Sequence, residues 1–311
     1  MTTIVISGRG VVAAACVTHL RNDSRVAEIL EWPARRQSGS LDIASIDDLG
    51  ALSNAVVILA GAEDDDARLD LALDAGVPCV SVADADANLR ELFAREVIAH
   101  ESNVPVIVGA GFAPGLADLL VAHGAEQFDR VDDIRIARVG VAGPECRRTL
   151  RRALREEPHE WRRGAWRRVT RRGAERMWFP PPIGARECEP VDIGAITLQK
   201  SWPEASIAVR AAGVSRAWSL TSKEHEGAIR VEVWGERNGR RESVVYGAVA
   251  PTAHASGVVA AVTAVGLTND AGAVDRRPGV RSVGQIARPT RFLEEVTAAG
   301  VTVSVFEGVS G

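Results

Sequence analysis

Short apolar runs alternate with longer amphipathic or alanine-rich stretches over the first 124 residues. Each apolar run has the length of a strand, and each intervening stretch has the length of a helix. Strands that alternate with helices at this spacing are typical of a parallel sheet covered by helices on both faces. The predicted strands lie at 3–7, 28–32, 55–60, 79–82 and 104–108, with a weaker candidate at 41–44.

The pattern changes after about residue 124. Residues 131–141 alternate between apolar and polar side chains, as in a strand with one exposed face, and 144–156 have a helical pattern. Further period-two segments lie at 206–211, 229–236 and 242–250. The Asn238-Gly239 pair between the last two segments is typical of a hairpin turn. This middle region is therefore predicted to form a mixed, largely antiparallel sheet with one or two helices.

The C-terminal region is predicted to be mostly helical. Residues 251–267 form a helix rich in small side chains, 288–300 form another helix, and 301–306 form a last strand. Small side chains suit close packing of the first of these helices against the N-terminal domain. We predict an α/β protein with three parts: a Rossmann doubly wound parallel sheet (1–124), an inserted mixed α/β substrate or dimerisation domain with a largely antiparallel sheet (125–250), and C-terminal helices that return to the Rossmann domain (251–311).

Composition and charge narrow the classes of function. The 311 residues are 46% apolar and 25% charged, as in an ordinary soluble globular protein. The net charge of −4 argues against a nucleic-acid partner, and no apolar run reaches the ~20 residues of a membrane span. The four cysteines lack a Cys-x-x-Cys spacing, so we expect neither disulfides nor a bound metal. The chain enters a strand at once and leaves no room for a signal peptide, so we expect a cytoplasmic protein.

A glycine motif directly after the first predicted strand indicates a dinucleotide site. Gly8, Gly10 and Ala13 form a Gly-x-Gly-x-x-Ala pattern that opens an alanine-rich helix. Gly8 permits the tight turn, Gly10 lets a pyrophosphate approach the backbone, and Ala13 lets the helix pack against the strand. The phosphates would face the helix N-terminus, with Arg9, Val11 and Val12 completing the loop. The alternative is an ordinary strand-to-helix turn that binds nothing.

The end of the second predicted strand should meet the adenine ribose. Glu31 lies 21 residues after Gly10, where an acidic side chain can bind the 2′-hydroxyl of NAD. Arg35 and Arg36 follow and would instead favour the 2′-phosphate of NADP, so the cofactor is NAD or NADP. Gly61 and Ala62 end the third strand and would let the nucleotide cross the strand tips.

A second glycine-rich loop follows the fifth predicted strand. It comprises Gly109, Ala110, Gly111, Phe112, Ala113, Pro114 and Gly115. Together with Ala75-Gly76-Val77 and the strand that ends at Asp84, this loop resembles the saccharopine dehydrogenase-like (saccharopine reductase) family. The family has a loop of the type PGAGFDPGL, and the chain is most similar to its short bacterial members. The similarity is clearest over residues 1–124 and extends to the plan of the whole chain.

The resemblance implies an NAD(P)-dependent oxidoreductase that reduces a C=N bond, or oxidises a C–N bond, of an amino-acid-like metabolite. It implies that Gly109, Ala110, Gly111, Phe112 and Pro114 lie near the nicotinamide. It also matches Asp84 to an aspartate at the end of the family's fourth strand. We expect an amino-acid-like or otherwise anionic small-molecule substrate and a homodimer.

Ala113 stands where the family's loop carries aspartate, and Ser81-Val82-Ala83 replaces Asp-Thr-Ser. These departures motivate a non-catalytic nucleotide-binding protein as one alternative. Another alternative is a reductase of a C=C or C=O bond in a biosynthetic pathway, acting on a carrier-bound intermediate. Its motivation is a basic stretch over 147–176, which holds twelve arginines that a solvated surface would equally explain. Asp84, His225 and Lys200 are the candidates for a catalytic proton donor.

Overall fold

The computed structural model describes residues 1–32, 46–61, 65–169, 174–213, 226–269, 273–286 and 288–306. Several predicted features lie outside these residues. They are the weak strand at 41–44 and the candidate site residues Arg35, Arg36, Ala62 and His225.

A parallel sheet of six strands forms the first half of the fold, in the order β14-β5-β4-β3-β1-β2. Its strands are β1 (Thr2–Ser7), β2 (Val26–Trp32), β3 (Ala55–Leu59), β4 (Cys79–Ser81), β5 (Pro105–Val108) and β14 (Gly279–Ser282). The first five match the predicted apolar runs and confirm the doubly wound sheet. The sixth strand was not predicted, and it comes from the C-terminal region, where it pairs with β5.

Both faces of this sheet are buried along β1, β3, β4 and β5, whereas the edge strand β2 is largely exposed or half-buried. Ile4, Ile6 and Ile58 lie in one core cluster, and Val5 and Val57 lie in another. The helices that connect the strands are α1 (Val11–Leu20), α2 (Ile46–Gly50), α3 (Asp65–Asp74), α4 (Asp86–Phe93) and α5 (Glu96–Glu101). The cluster of Val5 and Val57 includes buried residues of α2, α3, α4 and α5. The opposite face packs against α1.

The second sheet is mixed and largely antiparallel, as predicted. Its main path runs β15-β13-β12-β6-β11-β10-β9, and only β6 and β11 run parallel to each other. A small hairpin of β7 and β8 joins it at β11. The strands are β6 (Arg130–Val139), β7 (His159–Arg162), β8 (Ala165–Arg168), β9 (Glu175–Phe179), β10 (Gly184–Val191), β11 (Ser206–Ala211), β12 (Glu226–Arg237), β13 (Arg240–Pro251) and β15 (Thr302–Phe306).

The predicted Asn-Gly hairpin lies between β12 and β13. Asn238 and Gly239 have φ values of 52° and 74°, as a two-residue turn with both central residues left-handed requires. This turn fixes the pairing of two 12-residue strands, whose register runs without interruption from Arg237 and Arg240 at the turn to Glu226 and Pro251 at the far end.

The remaining helices hold the two sheets together. They are α6 (Leu116–Ala125), α7 (Pro144–Ala153), α8 (Ala195–Ser201), α9 (Thr252–Thr268), α10 (Val283–Ile286) and α11 (Pro289–Ala298). α9 lies against α1, and a Cβ atom on Gly257 would lie 2.6 Å from the Cβ of Ala15. The small residues expected to permit close packing of this helix therefore do so. Within the described ranges, no helix is long and apolar enough to cross a membrane.

Candidate functional site

A cleft of about 150 Å³ lies between the carboxyl edge of the parallel sheet and the N-terminal end of α7. One wall comes from the loops after β1, β3 and β4 and from the start of α3 and α4. The opposite wall comes from α7 and the residue before it. The first wall comprises Gly10, Val11, Val12, Ala60, Gly61, Asp65, Val82, Ala83, Asp84, Ala85 and Asn88, and the second comprises Gly143, Pro144, Glu145, Cys146 and Thr149.

The turn after β1 is built from glycine because the end of β3 lies against it. Gly8 has a φ of 115°, and a Cβ atom there would lie 2.6 Å from the carbonyl carbon and oxygen of Ala60. Any side chain at this position would clash with backbone that cannot move aside. The amide of Ala60 donates to the carbonyl of Ser7 at 2.8 Å, which joins the two strand ends.

Gly10 and the first turn of α1 open directly onto the cleft. The first hydrogen bond of the helix runs from Ala14 N to Gly10 O at 3.0 Å, which leaves the N–H groups of Val11, Val12 and Ala13 without a partner inside the helix. No acidic side chain lies in this turn, and no atom lies within 4 Å of a Cβ placed on Gly10. Partial positive charge and open space therefore coincide, as an anionic ligand requires.

A polar cluster that the sequence did not reveal lies beside this turn. Asp65 approaches the Ser7 hydroxyl at 3.5 Å, and the buried guanidinium of Arg68 donates to that hydroxyl and to the carbonyl of Trp32 at 3.0 Å. Burial raises the pKa of Asp65 to about 7, although Arg68 and the amide of Gly61 favour its charged form. The acidic start of α3 is visible in the sequence, but the position of Asp65 beside the turn after β1 is not.

Asp84, Cys146 and Arg138 form a second polar cluster, in which Asp84 of the first wall contacts Cys146 of the α7 wall. The Asp84 carboxylate is 3.9 Å from the guanidinium of Arg138, and its side chain is 19% exposed. Burial raises the pKa of Asp84, while Arg138 and a hydrogen bond from the Cys146 thiol act in the opposite direction. Burial, with the charge of Asp84 beside it, raises the pKa of Cys146 to about 11. Cys146 is therefore a thiol and not a nucleophile at neutral pH, and burial favours the neutral form of Asp84.

The glycine-rich loop at 109–115 supports residues next to the cleft but does not itself line the cleft. Ala110 and Phe112 are buried, and no residue from Gly109 to Gly115 lines the cleft. The amide of Ala110 donates to Ser81 O at 2.8 Å, and Arg138 donates to the carbonyl of Ala113. The loop thus holds β4 and the second sheet in place next to Asp84.

The other predicted site residues lie elsewhere. Glu31 is exposed at the end of β2 and borders a separate hollow with Arg21 on the outer side of α1. Lys200 lies on α8, with its ammonium 5.6 Å from the ring centre of Phe93. Arg9 is exposed in the turn after β1. The structure therefore brings Gly10, Val11, Val12, Gly61 and Asp84 together, and it does not bring Glu31 or Lys200 to them.

Among the described residues, no group of three or more histidine, cysteine or acidic side chains could hold a metal ion.

Comparison with solved structures identifies the fold. Apo saccharopine dehydrogenase (L-Glu forming) from Saccharomyces cerevisiae is similar with a TM-score of 0.67 and 13% identity, over 98% of this chain and 100% of that one. Homospermidine synthase from Legionella pneumophila, solved with NAD, has a TM-score of 0.64 and 11% identity, over 99% and 91%. The DAP dehydrogenase of C. glutamicum, solved with DAP, has a TM-score of 0.53 and 13% identity, over 96% and 98%.

No protein-family model and no curated protein matches the sequence. The structural similarities therefore establish the fold and leave function to the residues of the site. At the level of the fold, they confirm the predicted resemblance to the saccharopine dehydrogenase-like proteins.

Proposed function

We propose that this chain is an NAD(P)-dependent oxidoreductase acting on a C–N bond of an amino-acid-like metabolite. The observation that carries the proposal is the free N-terminus of α1, which opens beside Gly10 at the strand tips. In doubly wound sheets, ligands bind where neighbouring strands lead to helices on opposite faces, as β1 and β3 do here. The homospermidine synthase of similar fold was solved with NAD, and the DAP dehydrogenase was solved with DAP.

The residues present fit the phosphates of a dinucleotide. Backbone N–H groups of residues 11–13 would bind them, and Gly10 leaves space for them. The cleft of about 150 Å³ is smaller than the roughly 300–1,000 Å³ of typical ligand pockets. Val11 and Gly143 close it, since a Cβ on Gly143 would lie 2.9 Å from the Val11 side chain. We therefore infer that α7 moves away from α1 when the dinucleotide enters.

The proposed role of Asp84 follows from its raised pKa and its position at the cleft wall. NADH or NADPH, when bound, supplies the hydride. Asp84 would keep the reacting nitrogen protonated, and Arg138 would hold that carboxyl in place. Val82 and Ala83 present an apolar wall next to it, which limits water around the reacting atoms.

Replacing Gly10 with alanine should weaken nucleotide binding at least tenfold without loss of stability. Gly10 has an extended backbone with φ of −75°, and a Cβ there meets no protein atom within 4 Å. The methyl group would occupy only the space through which the pyrophosphate approaches. Fluorescence titration with NADH and NADPH measures the affinity, and thermal unfolding checks the fold.

Gly50→Ala is the matched control because this glycine is also exposed, on α2 outside the cleft lining. The same preparations are then assayed for oxidation of the preferred nucleotide with pairs of amines and 2-oxo acids. Equal nucleotide affinity of the Gly10 variant and the parent would disprove the site. Tight binding with no turnover on any pair would instead favour the non-catalytic alternative, which the alanine at 113 suggested.

Nucleotide affinity should fall as the pH rises through about 7. Asp65 lines the cleft, and its pKa is raised to about 7, so the side chain is mostly neutral at pH 6 and charged at pH 8. A carboxylate beside the phosphates would cost about 1 kcal/mol, which is roughly fivefold in affinity. NADH is the suitable probe because its pyrophosphate keeps its charge across this range. Titrations at both pH values should show the fall in the parent and its absence in Asp65→Asn, while Asp70→Asn, exposed on the same helix, keeps it.

A further inference from the structure

The arginine-rich stretch that the proposed function leaves unused forms part of a groove on the second sheet. The hairpin of β7 and β8 turns at Arg163 and Gly164, whose φ values are 49° and 79°. Trp161 and Trp166 pack edge to face on one side of the hairpin, with ring centres 5.4 Å apart, and Trp161 donates to the carbonyl of Pro203 at 2.7 Å. Because side chains alternate along a strand, the neighbours of the tryptophans face the other side.

These neighbours form a wall of the groove, and the second sheet forms its floor. The wall residues are Glu160, Arg162, Arg163 and Arg167. On the floor, Arg135 of β6 pairs in register with Ala208 of β11, and the small alanine leaves an open centre. The resulting cavity has a volume of about 570 Å³, which is the size of a pocket for a small metabolite.

The charges of the groove do not balance. Glu160 is 2% exposed and accepts from Arg162 at 2.5 Å and from Arg210 at 2.6 Å. The other acidic residues of the groove also have arginine partners: Asp133 pairs with Arg135, Glu175 with Arg210, and Glu232 with Arg230.

Arg163 and Arg167 are the two arginines of the groove that have no acidic partner among the described residues. Across the ranges that the structure describes, neither guanidinium has an ion pair or a hydrogen bond, and both side chains are exposed. The groove lining therefore has five arginines against four acidic residues, and Arg163 and Arg167 are its arginines without an ion pair among the described residues. They lie beside Arg162 and Arg210, which the buried Glu160 fixes in place.

We propose that this groove binds a small molecule with two or more anionic groups, phosphate or carboxylate. The guanidinium groups of Arg163 and Arg167 would each bind one anionic group, since their planar forks match such oxygens. Arg135 and Arg210 are held by carboxylates and offer further N–H groups at the floor. Met177 and Ala208 provide apolar surface for the body of the ligand. This site is separate from the nucleotide cleft and shares no lining residue with it.

The test is calorimetric titration of the full chain with inorganic pyrophosphate and, separately, with citrate. The double variant R163Q/R167Q should bind the preferred probe at least tenfold more weakly than the parent. R151Q/R155Q is the matched control, because it removes the same charge from exposed positions at the end of α7 and beyond. It should bind as the parent does, and NADH affinity should be unchanged in both variants. The two probes distinguish a phosphate ligand from a carboxylate ligand.

The proposal is overturned if neither probe binds the parent, or if both variants lose affinity equally, which would indicate unspecific charge attraction. A change in molecular mass by light scattering in R163Q/R167Q, without a change in probe affinity, would assign the groove to a second copy of the chain. Because NADH binding is measured in parallel, failure at the groove is distinguishable from failure of the proposed nucleotide site.

Discussion

Gly115→Ala is expected to lower the free energy of unfolding by about 4 kcal/mol, a large fraction of the roughly 5–15 kcal/mol that is typical of a folded protein. Gly115 has a φ of 115°, and a Cβ there would lie 2.1 Å from Gly111 O and 2.7 Å from Gly109 O. Both contacts are with backbone of the same tight loop, so no side chain can rotate away. Urea unfolding, followed by circular dichroism, measures the loss.

Gly76→Ala separates the clash from the cost of the backbone conformation. Gly76 follows α3 with a φ of 71°, and a Cβ there would meet nothing within 4 Å. That variant should lose only about 1 kcal/mol, the usual cost of a left-handed residue. Equal losses in the two variants would show that the loop accommodates a side chain, and the account of the 109–115 support given above would be wrong.

Arg138→Met is expected to cost about 3 kcal/mol, because it leaves two groups without their partner. Arg138 is 3% exposed, donates to the carbonyl of Ala113, and lies 3.9 Å from the Asp84 carboxylate. Methionine fills much of the volume but provides neither the donor nor the charge. Arg135→Met on the same strand is the control, since an exposed arginine paired with Asp133 should contribute under about 1 kcal/mol.

The stability that Arg138→Met loses should also depend on pH. The folded-state pKa of Asp84 is already raised by burial, and removal of Arg138 raises it further. An acid with a raised folded-state pKa binds more protons in the folded than in the unfolded state, so stability falls as the pH rises above the unfolded value. Arg138→Met should therefore be more damaging at pH 7 than at pH 4. Adding Asp84→Asn should recover part of the loss at pH 7, and a loss that is independent of pH would rule out this coupling.

Most of the parallel sheet was predictable because β1, β3, β4 and β5 are buried on both faces and therefore contain continuous apolar runs, whereas the edge strand β2 is largely exposed or half-buried. β14 was not, since Gly279–Ser282 is only four residues long, contains Arg281, and is a strand only because the edge of β5 is free to pair with it. The turn of Gly8 and Gly10 was predicted from spacing alone. The φ of 115° at Gly8 requires glycine, whereas the extended backbone of Gly10 would accept a side chain and leaves open space for a ligand instead.

The remainder of the site depends on contacts between distant segments. Asp65 and Cys146 reach the cleft from two different helices, and no local pattern shows that either residue lies at the cleft. Glu31 lies at the end of a strand, as predicted. The contact between this strand end and the polar cluster beside the cleft is made by the next residue, because Arg68 donates to the carbonyl of Trp32. The arginines of 147–176 form one basic stretch in sequence, yet the fold places those of α7 and those of the β7–β8 hairpin on different surfaces.

The late strand β14 has a consequence for synthesis of the chain on the ribosome. It begins about 170 residues after β5 ends, which at roughly 5–20 residues per second is a delay of about 10–30 s. During that time the edge of β5 offers unpaired backbone groups, and the groove on α1 that receives α9 is also open. A nascent chain stalled before residue 252 should therefore carry an apolar surface that invites chaperones, and the parallel sheet should become resistant to protease only after the last sixty residues emerge.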